Sequence, residues 1–156
     1  MHSDPGVTFL CDQNLGRLAR WLRLMGFDAA YMRRWNEEVA LEAAESGRIL
    51  LTTSRKKASY HTAMLIDTDD INSQVKQVLR KFDLEHEVRP LIRCIICNEP
   101  LVSVTPEEIK GKVPEYVYLT HSSFAECPSC HRVYWEGTHS NNILKTINML
   151  LEKENR

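Results

Sequence analysis

The sequence predicts an α/β fold: a parallel sheet flanked by helices, then a small four-cysteine module and a C-terminal helix. Three observations carry that prediction. Short aliphatic runs alternate with helical periodicity from about residue 7 to residue 82, as in parallel strands joined by crossover helices. Two C-x2-C pairs, Cys94/Cys97 and Cys127/Cys130, punctuate the last third. Beyond them Ile143, Leu144, Ile147 and Leu151 recur at helical spacing. A chain of 156 residues accommodates one ordinary domain plus such a module.

The elements follow in order. Val7 to Cys11 is an apolar run that predicts a buried strand, with Cys11 as a small buried hydrophobe. Asp12-Gln13-Asn14 is the turn that leaves it. Leu15, Leu18, Trp21, Leu22 and Met25 share one face of a helix over 15–25, and Gly26 suits its C-terminal cap. Phe27 to Tyr31 predicts a second strand. Asn36 is an N-cap with Glu37 and Glu38 in the first turn, where the helix dipole favours acids. Val39, Ala40, Ala43 and Ala44 give that helix its apolar side, and Ser46-Gly47 ends it.

Arg48 to Thr52 predicts a third strand and, after a basic turn, Ala63 to Asp67 a fourth. Asp69 or Asp70 caps a helix reaching about Phe82, with Ile71, Val75, Val78 and Leu79 inward. Asp83 to Pro90 is polar and reads as a linker. Pro106 to Lys110 suggests one helical turn, and Arg132 to Trp135 a ribbon strand whose Tyr134 and Trp135 form ribbon core. Ser140 or Asn141 caps the last helix. The expected division is residues 1–88 for the α/β domain, 89–140 for the cysteine ribbon and 141–156 for a helix packing on the rest.

Each C-x2-C places two thiolates on one tight turn, and two such pairs supply the four corners of a tetrahedron. The predicted occupant is a structural Zn2+ held by Cys94, Cys97, Cys127 and Cys130, with no open position for a substrate. Disulfides would need an oxidising compartment, and Met1-His2-Ser3-Asp4-Pro5-Gly6 has neither a basic nor an apolar signal region. A redox C-x-x-C would need a thioredoxin-like context, which is absent. His121, His131 and His139 are not required as ligands. A cytoplasmic location is expected, with no membrane partner, because no apolar run approaches the roughly 18 residues of a membrane span. A hydrophobic share of 43% with 26% charged residues argues for a globular chain rather than a disordered one. The net charge of −1 does not mark a nucleic-acid binder, so charge distribution has to decide.

In open parallel sheets, ligands bind beyond the carboxyl ends of the strands. Those ends carry Asp12, then Thr52-Thr53-Ser54, then Asp67 with Asp69 and Asp70, and Glu37 or Glu38 starts a helix that can face the same edge. Carboxylates gathered there suit Mg2+ or Mn2+, which activate water and stabilise the leaving oxygen of a phosphodiester. The same aspartates also suit helix N-caps, and both roles stay open. Arg17, Arg20 and Arg23 lie opposite the apolar stripe of the first helix, and Arg33, Arg34, Arg48, Arg55, Lys56 and Lys57 follow. This is either a solvated face or a surface that grips a phosphate backbone. Tyr60 and His61, beside it, can stack on bases.

The run Phe9 to Arg23 resembles the opening motif of the Mut-seven C-terminal ribonuclease-like domain family. Further matches are Gly47 to Thr52, Asp69-Asp70 before a helix, Arg93-Cys94-x-x-Cys97-Asn98, Cys127-Pro128-x-Cys130, and Tyr134 to His139. The resemblance covers nearly the whole chain. It implies a PIN-like fold followed by a zinc ribbon, and metal-dependent RNA cleavage. Asp12 is then the principal metal ligand, Asp67, Asp69 or Asp70 a second carboxylate and Glu38 a third, with water as nucleophile. Two positions depart from the family pattern. Gln13 replaces the glutamate of Asp-Glu-Asn, and Ser54 stands where Thr-Arg-Asp-Arg supplies an acid. Loss of a carboxylate weakens metal binding. The expected function is a metal-dependent endoribonuclease weakened at Ser54. The alternatives are a catalytically degenerate RNA- or ribonucleoprotein-binding module and a zinc-stabilised protein–protein adaptor.

Overall fold

A computed structural model describes residues 6–59 and 62–152, without the side chains of 138 and 139. Tyr60, His61 and the side chain of His139 therefore lie outside the described residues. Strands β1 (Thr8–Cys11), β2 (Asp28–Tyr31), β3 (Ile49–Thr52) and β4 (Ala63–Leu65) form a parallel sheet in the order β2-β1-β3-β4. The chain runs from β1 outward to β2, then returns past β1 to β3. Its direction thus reverses between β1 and β3, the position where parallel α/β sheets open a crevice at their carboxyl ends.

Helices α1 (Gly16–Leu24), α2 (Glu37–Glu45), α3 (Arg55–Ala58) and α4 (Ile71–Lys81) connect or follow the strands. Phe9, Leu18, Leu22, Phe27, Leu51 and Leu79 form one buried core. Each such side chain contributes about 1.5–3 kcal/mol by leaving water. Asn36 caps α2 through Val39 N, and Asp70, rather than Asp69, caps α4 through Ser73 N. β4 ends at Leu65, so Asp67 lies beyond the strand instead of in it.

The polar stretch after α4 does not hang free. It carries a 3-10 turn at Glu85–Glu87, and Leu84 is buried. Arg89 N donates to Met25 O at 2.8 Å and Leu91 N to Leu24 O at 3.1 Å, which lays the segment across the end of α1. Gly26 makes this approach possible. Its φ is +95°, and a Cβ there would stand 2.5 Å from the Arg89 carbonyl oxygen. The left-handed backbone alone costs a non-glycine residue roughly 1–2 kcal/mol, and the contact adds to it. Gly26→Ala is therefore expected to lower unfolding stability by at least about 2 kcal/mol, read as an earlier urea midpoint. An unchanged midpoint would mean that the segment swings clear without loss.

The cysteine ribbon has antiparallel strands β5 (Val102–Val104), β6 (Phe124–Glu126) and β7 (Val133–Tyr134), in that order. Between β5 and β6 the chain inserts α5 (Pro106–Ile109) and α6 (Glu115–Thr120). These helices account for the long spacing between the cysteine pairs. Ile109, Val117 and Phe124 give the ribbon its own small core, with Trp135 packed against it. The last helix, α7 (Thr138–Glu152), starts upstream of the expected cap at Ser140 or Asn141. Ser140 Oγ instead accepts from Gly137 N at 2.7 Å and donates to Gly137 O at 2.9 Å. Ile147 and Leu150 of α7 enter the core built on Phe9.

A polar clamp ties the ribbon to the sheet edge. Asn98 Oδ1 accepts from Ala29 N at 3.0 Å, and Asn98 Nδ2 donates to Asp28 Oδ1 at 2.6 Å. Arg23 Nε donates to Ala29 O at 2.8 Å, and its Nη1 to Ile95 O at 2.8 Å. Both peptide groups of Ala29 on the open edge of β2 are thereby satisfied, which closes an edge that would otherwise invite pairing. Arg48 completes the cluster with a 2.8 Å ion pair to Asp28. Burial pushes the Asp28 carboxyl up, but hydrogen bonds from Arg48 and Asn98 outweigh it and hold the carboxyl below its ordinary value. A depressed folded-state value gives stability that is present above the unfolded carboxyl range, near 3.9. That stability is lost as pH falls from there through the lower folded value. Asp28→Asn is expected to lower stability at neutral pH and to flatten its decline below about pH 4, measured by urea unfolding across pH. An acid limb as steep as in the parent protein would contradict this.

Candidate functional site

Asp12 stands just past the end of β1, where its backbone N donates to Leu51 O of β3 at 2.9 Å. It is only 3% exposed. Its Oδ1 accepts from Gln13 N at 2.7 Å, and its Oδ2 from Thr52 Oγ1 at 2.8 Å and Lys57 Nζ at 3.2 Å. Thr52 is itself fully buried and also accepts from Ser54 N at 3.1 Å. The crevice between β1 and β3 thus holds one carboxylate, one hydroxyl and one ammonium.

The local sequence explains the ammonium. Ser54 caps α3, its Oγ accepting from Lys57 N at 3.2 Å. That turn aims Lys57 inward and leaves Arg55 and Lys56 exposed. Lys57 is a correction to the expected outward basic face, since its Nζ is on Asp12 and 4.0 Å from the centre of the Trp35 ring. A cation over an indole is favourable by about 0.5–2 kcal/mol. Trp35 is placed in turn by Gln13, whose Oε1 accepts from Trp35 N at 2.8 Å, and Trp35 Nε1 donates to Glu37 Oε2 at 3.2 Å. Trp35 and Glu37 are therefore neighbours of the site, whereas Glu38 is an exposed residue in the first turn of α2.

The remaining carboxylates stand apart. Asp67 and Asp69 are exposed. Asp70 is exposed and spent on its cap, where Ser73 N and Ser73 Oγ donate to it and hold its carboxyl below the usual range. Among the described residues, only the four cysteines gather three or more metal-type donors closely enough to hold an ion. Arg17 and Arg20 are exposed, as expected of a basic face. Arg23 is not part of that face, because it is half-buried in the clamp on Ala29 and Ile95. Cys11 is fully buried, which pushes its thiol up to about 12 and leaves it a neutral hydrophobe.

The ligand sulfurs of Cys94, Cys97, Cys127 and Cys130 lie within 4.8 Å of one another, and Cys94 Sγ is 3.8 Å from Cys130 Sγ. A tetrahedron with bonds of about 2.3 Å has edges of about 3.8 Å. The cluster is therefore of metal-binding size, and its all-sulfur donor set matches Zn2+. Tyr134 Oη and Cys97 N donate to Cys94 Sγ at 3.3 and 3.4 Å. Burial raises the Cys94 thiol, yet these hydrogen bonds outweigh it and bring it to about 7. Among the described residues no helix is long and apolar enough to cross a membrane.

The model of the Mut7-C RNAse domain family matches residues 7–147. No curated protein and no solved structure matches the chain.

Proposed function

Because the chain belongs to the Mut7-C RNAse domain family, we propose that it acts on RNA at the Asp12 crevice, as a ribonuclease whose hydrolytic step is held to a low rate. The observation that carries this reading is the 3.2 Å contact between Lys57 and the one buried carboxylate at the strand ends. Exposed Arg55 and Lys56 beside the crevice, and Arg17 and Arg20 on α1, receive the phosphate backbone. Thr52 orients the Asp12 carboxylate. A water attacking phosphorus gives its proton to Asp12, the bond to the leaving oxygen breaks, and that oxygen takes a proton from solvent. A carboxylate already engaged by an ammonium and a hydroxyl is a weak base, so this step is slow.

The divalent ion expected at this crevice does not fit the residues as they stand. Asp12 offers one carboxylate, Lys57 holds its Oδ2, and Ser54 presents a capping hydroxyl where an acid would be needed. Asp67, Asp69 and Glu38 are exposed on the surface, and Asp70 is engaged in the α4 cap. The cysteine cluster is read as a closed structural Zn2+ site, which stabilises the ribbon and takes no part in hydrolysis.

The test is cleavage of a short single-stranded RNA by the purified chain, with and without Mn2+. Slow cleavage that disappears in Asp12→Asn is expected. Cleavage that survives Asp12→Asn would place the chemistry elsewhere. The Lys57–Asp12 pair also favours a second reading, RNA binding without hydrolysis. It would show salt-sensitive affinity and no products under either condition.

A further inference from the structure

A second cavity, of about 1070 Å³, lies between α1, the ribbon sheet and α7, and neither Asp12, Thr52 nor Lys57 lines it. α1 gives it Arg17, Arg20 and Trp21, and the ribbon gives Tyr116, Tyr134 and Trp135. Arg17 and Arg20 are exposed and have no hydrogen bond or ion pair to another described residue. Tyr116 is 69% exposed. Glu136 is the one carboxylate among the lining residues, against two guanidinium groups, so the walls retain positive charge.

Two exposed guanidiniums and several aromatic rings lining one cavity fit a ligand that is both anionic and planar. A purely apolar ligand would leave the arginines unused, and an acidic peptide would leave the rings unused. A nucleotide uses both, since arginine forks onto phosphate and bases stack on tyrosine and tryptophan. Arg17 links the cavity to the Asp12 edge through the chain. Arg17 is in the first turn of α1, directly after the Asp12 turn, and lies near enough to Asp70 for its charge to act on that carboxyl.

We propose that this cavity holds an unpaired nucleotide of an RNA strand whose neighbouring phosphates run to Asp12, with its base on Tyr116 and Trp135 and its phosphates on Arg17 and Arg20. The proposal rests on the RNA reading above and adds single-stranded specificity to it. The tryptophans allow a direct test. The chain has three, and two of them, Trp21 and Trp135, line the cavity while Trp35 belongs to the Asp12 crevice. In a Trp35→Phe background, indole emission reports on the cavity alone.

Titration with a dye-labelled oligouridylate is read by indole emission and by anisotropy of the dye. Binding is expected to change the emission. The double variant Arg17→Gln/Arg20→Gln should weaken affinity at least about tenfold, and Tyr116→Ala about tenfold. A blunt RNA duplex should leave the emission unchanged. Oligouridylate binding with unchanged emission and full affinity in these variants would overturn the cavity proposal while sparing the RNA reading. Absence of any RNA binding would overturn both.

Discussion

Ser54→Asp combined with Lys57→Met turns the Asp12 crevice into a divalent-metal site, raising Mn2+ affinity by at least about a hundredfold, or about 2.7 kcal/mol. Lys57 Nζ now engages Asp12 Oδ2 at 3.2 Å, the oxygen an ion would need. Methionine removes that charge and keeps an unbranched stem against Trp35. Aspartate at 54 adds the second carboxylate that a hard cation requires. It also remains a good N-cap, so α3 keeps its start. Ser54→Asp alone should gain much less, because Lys57 is free to pair with the new acid. Isothermal titration with Mn2+ reads the binding, and RNA cleavage in Mn2+ should rise with it. If the double variant binds Mn2+ no better than the parent, Lys57 is not what keeps the ion out.

Removal of the proposed Zn2+ from the cysteine cluster is expected to have the other large effect. Structural Zn2+ binding in zinc-finger peptides is worth about 10–16 kcal/mol, comparable to the whole stability of a domain. Cys127→Ser, or prolonged chelation, should therefore unfold the ribbon outright. The effect extends to the sheet. Asn98 and Ile95 belong to the same turn as Cys94 and Cys97, and they hold Asp28, Ala29 and Arg23. Loss of those three hydrogen bonds costs the α/β part about 3 kcal/mol at about 1 kcal/mol each. Hydrogen exchange at Ala29 N reads this directly, since that amide donates to Asn98. Unchanged protection at Ala29 in metal-free protein would show that the clamp closes without zinc.

Strands β1 to β4, helices α1, α2 and α4 and the cap at Asn36 were legible because each rests on local pattern, while the α4 cap was legible only as Asp69 or Asp70. The strands are continuous apolar runs, and α1 and α4 carry one buried stripe each; on α2 the expected apolar side is buried only at Ala40, with Val39 and Ala44 exposed. α6 was not legible: Tyr116 and Leu119 are 69% and 70% exposed, so no clean stripe marks it. β5 and β6 are three residues long, too short for an alternation to register. The docking of the 83–90 segment depends on backbone contacts with Leu24 and Met25, which side-chain chemistry does not announce. At the site, the carboxyl end of the first strand pointed to Asp12, and the cysteine spacing led to the four-cysteine cluster. The inward turn of Lys57 was hidden, because Arg55-Lys56-Lys57 reads as one basic face until α3 separates its sides. Trp35 left a faint signal, an aromatic directly before the Asn36 cap.

The membership of Ile147 and Leu150 in the core that contains Phe9 also bears on the order of events during synthesis. Without those two side chains the core is incomplete, so β1 to β4 are expected to keep part of an apolar face uncovered while the ribbon is translated. The cysteine pairs emerge before α7 and can take up metal while that face waits. A nascent chain stalled after the ribbon should accordingly hold zinc yet remain sensitive to protease and attractive to chaperones.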